Sequence, residues 1–393
     1  MPAKNKQTNN LILRMLTAIL CRLLLNTARR FAYPFAPVLS RGLSVPLTAV
    51  TSLIAINQAT AILGVGLGPF ADRFGYRRMM IIGMTMLAVG MLAAGFWPGY
   101  YTVMAALFLA GLGKCVFDPA IQAYVSRKVD YQRRGMAIGF LETSWAGSTL
   151  IGIPIVAILI SNIDWQAPFY VLGSLGLMGT LALVIIFPKN SRPQAANSNT
   201  DRLWQAWPHL IKNRSALGAL GYAFLVSVAN DNLFVVYGAW LEQSFHVSII
   251  ILGFGTAVIG VAELCGEGLT VLFSDRIGLR RSVFFGVILT IICYGLIPLC
   301  NQNLFVALGG VFGVFFVFEF TIVSSLSLCT EILPRYRATM MSAFFAAGGA
   351  GRVLGALLGG YFWTIGGIWS TGLVSCGLTF LAFISLFVGL KAK

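Results

Sequence analysis

The chain has 393 residues, of which 58% are hydrophobic and only 10% charged, with a mean hydropathy of +0.82. A water-soluble domain cannot hide that much apolar side chain, so composition excludes a soluble globular protein and implies a polytopic membrane protein. The formal charge of +15 would suggest nucleic acid in a soluble protein; here its placement along the chain argues for orientation in a bilayer, and no nucleic-acid partner is expected.

Met1 to Asn10 is polar and basic, and the apolar run after it has no evident small-residue cleavage site, which predicts a cytoplasmic tail rather than a cleaved signal. Apolar runs of about 20 residues, enough to span a bilayer, can be placed twelve times, so the expected fold is an all-α membrane protein. The first six predicted spans are Leu11 to Leu39, Pro46 to Phe70, Met79 to Trp97, Tyr101 to Ser126, Gly135 to Ile160 and Ala167 to Phe187. The second six are Ala216 to Leu241, Val247 to Phe273, Val283 to Leu299, Leu304 to Leu328, Ala338 to Ile365 and Trp369 to Leu390. With the N-terminus inside, most of the basic residues fall in cytoplasmic tails and loops, and the opposite face receives only Arg41. That asymmetry predicts both termini on the cytoplasmic side.

Pro188 to Arg214 is the one long polar connection. Its first part, KNSRPQAANSNT, reads as flexible linker. Its second part sets Trp204, Trp207 and Ile211 on one side with basic flanks, which predicts a short interfacial helix. The seven cysteines form no C-x-x-C pair and only two histidines exist, so no zinc site, no other metal site and no disulfide framework is expected. The cysteines read as small core residues.

The stretch Gly68 to Arg78, GPFADRFGYRR, lies between two apolar runs, and Ser274 to Arg281, SDRIGLRR, repeats it. Asp72 and Asp275 are 203 positions apart (275 − 72), and Arg73/Arg276, Gly75/Gly278, Arg77/Arg280 and Arg78/Arg281 keep that offset, as does Arg134/Arg337 in another pair of loops. Two loops on one offset point to two copies of one half. Gly68 suits close helix contact and Gly75 a tight turn, Asp72 suits a helix N-cap, and the arginines supply donors and positive-inside charge.

The motif G-x-x-x-D-R-x-G-x-R-R after the second of twelve spans resembles the signature loop of the major facilitator superfamily of secondary transporters, and the resemblance covers the chain in span count, half-length and loop placement. It implies two pseudo-symmetric six-helix bundles, residues 1–187 and 215–393, joined by a cytoplasmic linker at 188–214. It also implies that Gly68, Asp72, Arg73, Gly75, Arg77, Arg78, Asp275, Arg276, Arg280 and Arg281 form a conformational latch. In the family the first, fourth, seventh and tenth helices line the central cavity.

A charge at mid-bilayer costs about 2.5–3.5 kcal/mol on insertion scales, so each intramembrane charge invites a functional reading. Arg22, Asn26, Arg29 and Tyr33 fall at i, i+4, i+7 and i+11, one stripe of a helix, with Arg30 alongside. Arg22 lies where it can snorkel, whereas Arg29 and Arg30 are deeper. Arginine forks bind carboxylate or phosphate, so the stripe either faces an anionic solute or makes salt bridges, with Asp231 an obvious partner. Lys114, Asp118 and Gln122 share one face of the fourth span; Lys114 and Asp118 either pair within the helix or face the cavity. The polar triplet Asn230–Asp231–Asn232 is too costly to face lipid. Glu319, isolated among phenylalanines, suits a group that binds and releases a proton. Glu142, one turn from Trp145, reads as cavity-facing or latch-forming; Glu263 and Glu267, either of which Arg352 could serve, read as packing within the C-terminal half, with a proton relay the second reading.

Gly348, Gly349, Gly351, Gly355, Gly359 and Gly360 give the eleventh span a small-residue face for close packing, and Gly147, Gly152 and Pro154 act similarly on the fifth. The family's antiporters often carry G-x-x-x-G-P there; this chain reads GSTLIGIP, which departs from the spacing.

The expected function is secondary active transport of a small solute by alternating access, coupled to protons through Glu319, Asp118 or Glu142. Arg29, Arg30, Asn26, Tyr33, Lys114 and Asp231 are the candidate substrate contacts, and an organic anion is favoured if the arginines face solute. The alternatives are an exporter of amphipathic compounds and a membrane sensor on the same scaffold. No nucleotide loop or nucleophile–base pair is legible, so neither an enzyme nor a cofactor is expected. A monomer in a bacterial inner membrane completes the expectation.

Overall fold

The computed structural model describes residues 2–128, 141, 143–188, 208–333 and 337–390, and every regular element among them is helical. In chain order these are α1 (Pro2–Arg30), α2 (Ala36–Leu43), α3 (Leu47–Phe74), α4 (Tyr76–Phe96), α5 (Tyr100–Lys128), α6 (Thr143–Asn162) and α7 (Ala167–Ile186). There follow α8 (Arg214–Phe234), α9 (Tyr237–Phe245), α10 (Ile249–Ile277), α11 (Leu279–Leu296), α12 (Leu304–Ile332) and α13 (Arg337–Leu390). Among the described residues, ten helical segments are long and apolar enough to cross a membrane, or eleven if α2 and the first part of α3, bent by 115°, count as one. The count falls short of twelve where α13 runs through Gly366 and Gly367, whose backbone is not helical (φ/ψ −149°/20° and 54°/−139°). That break lies where the last two expected spans meet. At about 1.5 Å per residue, the 51-residue segment Met340–Leu390 is far longer than one crossing of a core about 30 Å thick.

Local chemistry sets the helix boundaries. The side chain of Asn213 accepts from the backbone N–H of Ser215 and Ala216 at 2.9 and 3.1 Å, capping α8, and Asn303 caps α12 through Val306 N–H at 3.0 Å. Pro168 opens α7 in the first turn, where a missing N–H costs nothing. Pro34, in contrast, does not continue α1: it lacks the donor and disfavours the α region for the residue before it, and residues 31–35 form a turn. Tyr33 therefore lies beyond the helix and is not the fourth member of the Arg22–Asn26–Arg29 stripe. The predicted first span is two helices, and so is the seventh, broken at Val235–Val236.

The internal repeat is written in the backbone. Gly75 and Gly278, 203 apart (278 − 75), both sit at positive φ with φ/ψ 93°/137° and 91°/130°, at the N-cap positions of α4 and α11. Ser44 and His246, 202 apart (246 − 44), are both left-handed C-caps, with φ/ψ 54°/42° and 50°/36°. Asp72 lies within α3, three positions before the Gly75 N-cap, rather than at the cap itself.

The chain divides into two compact units, Met1–Ala32 with Leu63–Asn197, and Tyr33–Ile62 with Ser198–Lys393. In the first, α4 and α5 cross where a Cβ on Gly83 would fall 2.5 Å from the Gly113 carbonyl and the reverse holds equally. Gly173 and Gly176 of α7 meet Leu92 and Ala88 of α4, and Gly147 and Gly152 of α6 meet Leu23 and Thr27 of α1. In the second, the predicted glycine face of α13 packs on α8: Gly351 against Phe224, Gly355 against Val228 and Asp231, Gly359 against Asn232 and Val235. Beyond the break, Gly389 of α13 meets Gly218 of α8. Where lipid offers no hydrophobic drive between helices, such backbone approach is what holds them. Outward-facing apolar side chains such as Ile185 (80% exposed) and Phe305 (85%) are positioned as lipid contacts would be.

Of the interfacial-helix expectation, residues 208–212 are helical; Leu210 joins the core of the second unit, Ile211 is exposed, and Trp204 and Trp207 lie outside the described residues. The cysteines are all free, but only Cys21 and Cys329 are buried; Cys265 is exposed, so the core reading holds for two of them.

Candidate functional site

In the first unit, four basic side chains are buried together on α1 and α5: Arg22 (2% exposed), Arg29 (7%), Arg30 (2%) and Lys114 (8%). Asp118 stands between two of them. Arg22 grips it with both forks, Nε to Oδ1 at 2.9 Å and an Nη to Oδ2 at 3.3 Å, and Lys114 Nζ reaches Oδ2 at 2.5 Å one turn away on α5. Arg22 therefore does not snorkel; it staples α1 to α5, and the Lys114–Asp118 pair forms within its own helix. The Arg30 guanidinium stacks 4.2 Å from the ring centre of Trp145 on α6, and Lys114 Nζ lies 5.6 Å from the same ring. Asn26 Nδ2 donates to Ser144 Oγ at 3.3 Å, while Asn26 Oδ1 is buried without a hydrogen-bond partner among the described residues. Glu142 lies outside the described residues.

In the second unit Asp231 is 2% exposed, flanked by Asn230 and Asn232, which are also buried. It accepts the Tyr33 hydroxyl at 2.7 Å, and Gln58 Nε2 donates to that hydroxyl in turn. Arg352 of α13 approaches Asp231 Oδ2 at 3.9 Å. Arg352 thus pairs with Asp231, since it shares the α13 face that packs on α8. Asn232 Nδ2 donates to Thr371 O at 3.0 Å and Ser375 Oγ at 2.9 Å, and the Tyr294 hydroxyl donates to Asn230 Oδ1 at 3.4 Å. Glu319 is half-buried on α12, its Cβ against Gly266 of α10.

Two arginines of the repeated loops bond within their own units. Arg77, in the first turn of α4, donates to the Val184 carbonyl in the last turn of α7. Arg280, its counterpart in the first turn of α11, donates to the Leu390 carbonyl at the end of α13 at 3.0 Å. Each satisfies an orphan carbonyl at a helix C-terminus, where a cation is also favoured by the dipole. Arg14 does the same at Ile186, 3.2 Å away. Arg78 and Arg281 are exposed. Gly68 lies in α3, and the side chains of Asp72, Arg73, Asp275 and Arg276 lie outside the described residues.

Gln58, Ser144 and the Arg41–Glu242 pair (2.7 Å) are functional candidates that the sequence pattern does not single out. The polar pair Asn57–Gln58 in an apolar span is the available signal for Gln58. Nothing local marks Ser144.

The family model of the Major Facilitator Superfamily matches residues 18–230 and 219–393. The uncharacterized MFS-type transporter YceJ of Bacillus subtilis is 26% identical over 300 residues, 75% of each chain. A probable 4-methylmuconolactone transporter of Cupriavidus pinatubonensis is 25% identical over 81% of this chain and 76% of its own, and a multi-drug resistance efflux pump PmrA homolog of Lactococcus lactis is 23% identical over 66% of each. Among solved structures, a mutant of the nucleoside transporter NupG superposes with a TM-score of 0.80 over 96% of this chain and all of its own, at 14% identity, which is a likeness of fold. This chain belongs to the Major Facilitator Superfamily and is a multi-pass membrane transporter protein.

Proposed function

We propose that the protein moves a small organic anion across a bacterial inner membrane by alternating access, coupled to protons, with both termini in the cytoplasm. One observation carries this reading. Arg22, Arg29, Arg30 and Lys114 are buried in one unit whose spans hold two carboxylates, Asp118 and Glu142, leaving a surplus of two positive charges (4 − 2). Surplus buried charge is expensive, and an anionic solute is a ready source of compensation. On this reading Arg29 and Arg30, the deeper arginines of the first span, are assigned to solute, with Asn26 Oδ1 available as an acceptor. Similarity to a relative named for 4-methylmuconolactone supports a small organic solute. Glu319 and Glu142 are the proton carriers, the repeated loops the latch, and 1–187 and 215–393 the two bundles about the linker 188–214. The protein works as a monomer and carries no cofactor.

Similarity to an efflux pump homolog favours a second reading, export of amphipathic compounds. Ligand-dependent stability in detergent separates the two, because a compound that binds only the folded state at about 100 times its Kd adds about 2.7 kcal/mol. Organic anions are expected to raise the unfolding midpoint of the wild type and not of Arg29→Ala. Stabilisation by lipophilic cations alone, equal in both proteins, would favour export and make Arg29 a structural charge.

A further inference from the structure

Within the second unit, residues 33–62 are held to α8, α9 and α13 along one seam. Tyr33 stacks on Phe234 with ring centres 4.2 Å apart, and Phe234 stacks on Tyr237 at 5.5 Å. The Pro34 carbonyl lies against Gly238 with no room for a Cβ, Thr51 meets Gly360, and Ala61 meets Gly349. These contacts carry no charge and do not respond to pH. Two others do involve ionisable groups: Arg41 with Glu242 at one end, and Tyr33 with Asp231 in the interior. Arg41 is largely exposed, so water and salt screen the first pair. The second is closed off, with Tyr33 1% and Asp231 2% exposed.

We infer that Asp231, rather than Asp118, is the carboxylate whose protonation loosens residues 33–62 from α8; this rests on the proton-coupled reading above and names its switch. The two aspartates differ in what they join. Asp118 ties α5 to α1 and to itself, with two cations in direct contact. Asp231 joins α8 to a segment that reaches it through the turn at 31–35 and the α3 glutamine Gln58. Tyr33 has one proton to give. Its oxygen receives Gln58 Nε2, so that proton points to Asp231, and the ionised carboxylate accepts it in a charge-assisted bond. A proton arriving from solution on Asp231 cancels the charge, leaves a weaker neutral bond, and returns to solution when the seam re-forms. Charged and titratable groups at Asp231 include Tyr33 from the turn and Arg352 from α13, and Tyr294 from α11 bonds the neighbouring Asn230. Arg352 at 3.9 Å becomes the group left without this counter-charge on protonation, which gives it reason to move.

The test is hydrogen–deuterium exchange of the full-length protein in detergent, followed on peptides from residues 33–62 at one acidic and one alkaline pH, corrected for intrinsic exchange. Replacing a charge-assisted bond by a neutral one should speed exchange roughly five- to ten-fold at acid pH in the wild type. Asp231→Asn, which is neutral throughout, should exchange fast at both pH values. Should that variant fail to fold, Tyr33→Phe serves: it removes the donor and should also exchange fast at both. A wild type whose seam exchanges equally at both pH values would overturn the inference, as would a pH response that survives in Asp231→Asn or in Tyr33→Phe. Because no solute is needed, these outcomes are separate from the coupling reading itself, which gives proton carriage to Glu319 and Glu142 and is judged by proton flux.

Discussion

Gly355 and Gly377 lie on either side of the break in α13 and answer one question between them. A Cβ on Gly355 would fall 2.5 Å from the Val228 carbonyl oxygen, 2.9 Å from Asp231 Cβ and 3.1 Å from Val228 Cα, all on or next to the α8 backbone. A Cβ on Gly377 meets nothing within 4 Å. Gly→Ala in a helix interior gains about 1 kcal/mol from backbone entropy, and Gly377→Ala should show that gain alone. Gly355→Ala should add an overpacking cost of about 1–3 kcal/mol, since backbone cannot step aside as a flexible side chain can. The two variants should therefore differ by about 1–3 kcal/mol in stability, with Gly377→Ala the more stable. Titration of unfolding with sodium dodecyl sulfate in mixed micelles, read by loss of helix, gives the comparison. Equal midpoints would refute the claim that α13 is held to α8 by backbone approach.

Two further sets of variants test the charges and the repeat. Asp118→Asn strips the counter-charge from Arg22 and Lys114, and the same titration should show a loss of about 3–5 kcal/mol, the cost of leaving buried charge uncompensated; a change within experimental error would mean the pair is solvated. Gly75→Ala and Gly278→Ala both place a side chain at φ near +90°, and each should cost about 1–3 kcal/mol, by similar amounts, because the two turns share one backbone geometry. A penalty at one and none at the other would show that only one turn is strained.

Much of this architecture is legible in the sequence because lipid imposes simple rules. Span placement follows apolar length, the duplication follows the 203-residue offset (278 − 75), and the glycine face of α13 follows spacing alone. What escapes is whatever depends on tertiary pairing. The Arg22–Asn26–Arg29–Tyr33 stripe assumes an unbroken helix, yet Pro34 ends α1 and carries Tyr33 to Asp231 instead. Arg22 looks shallow enough to snorkel, but Asp118 is on another helix and no one-dimensional pattern pairs them. The motif arginines Arg77 and Arg280 read as loop charges, whereas their donors reach helix ends 107 and 110 residues away. Arg352 has glutamates as its obvious partners and yet faces α8, since the glycines beside it dictate which side packs.

The central claim is anion movement coupled to protons, and proteoliposomes loaded with a pH-sensitive dye test it most directly. A panel of organic carboxylates, phosphonates and lipophilic cations would be added outside while lumenal pH is followed, with protein-free vesicles and Arg29→Ala alongside. The account predicts that at least one anion changes lumenal pH beyond the protein-free control, inward acidification marking symport and alkalinisation marking exchange, and that Arg29→Ala abolishes the change. A response to cations alone, or an anion response undiminished in Arg29→Ala, would contradict it.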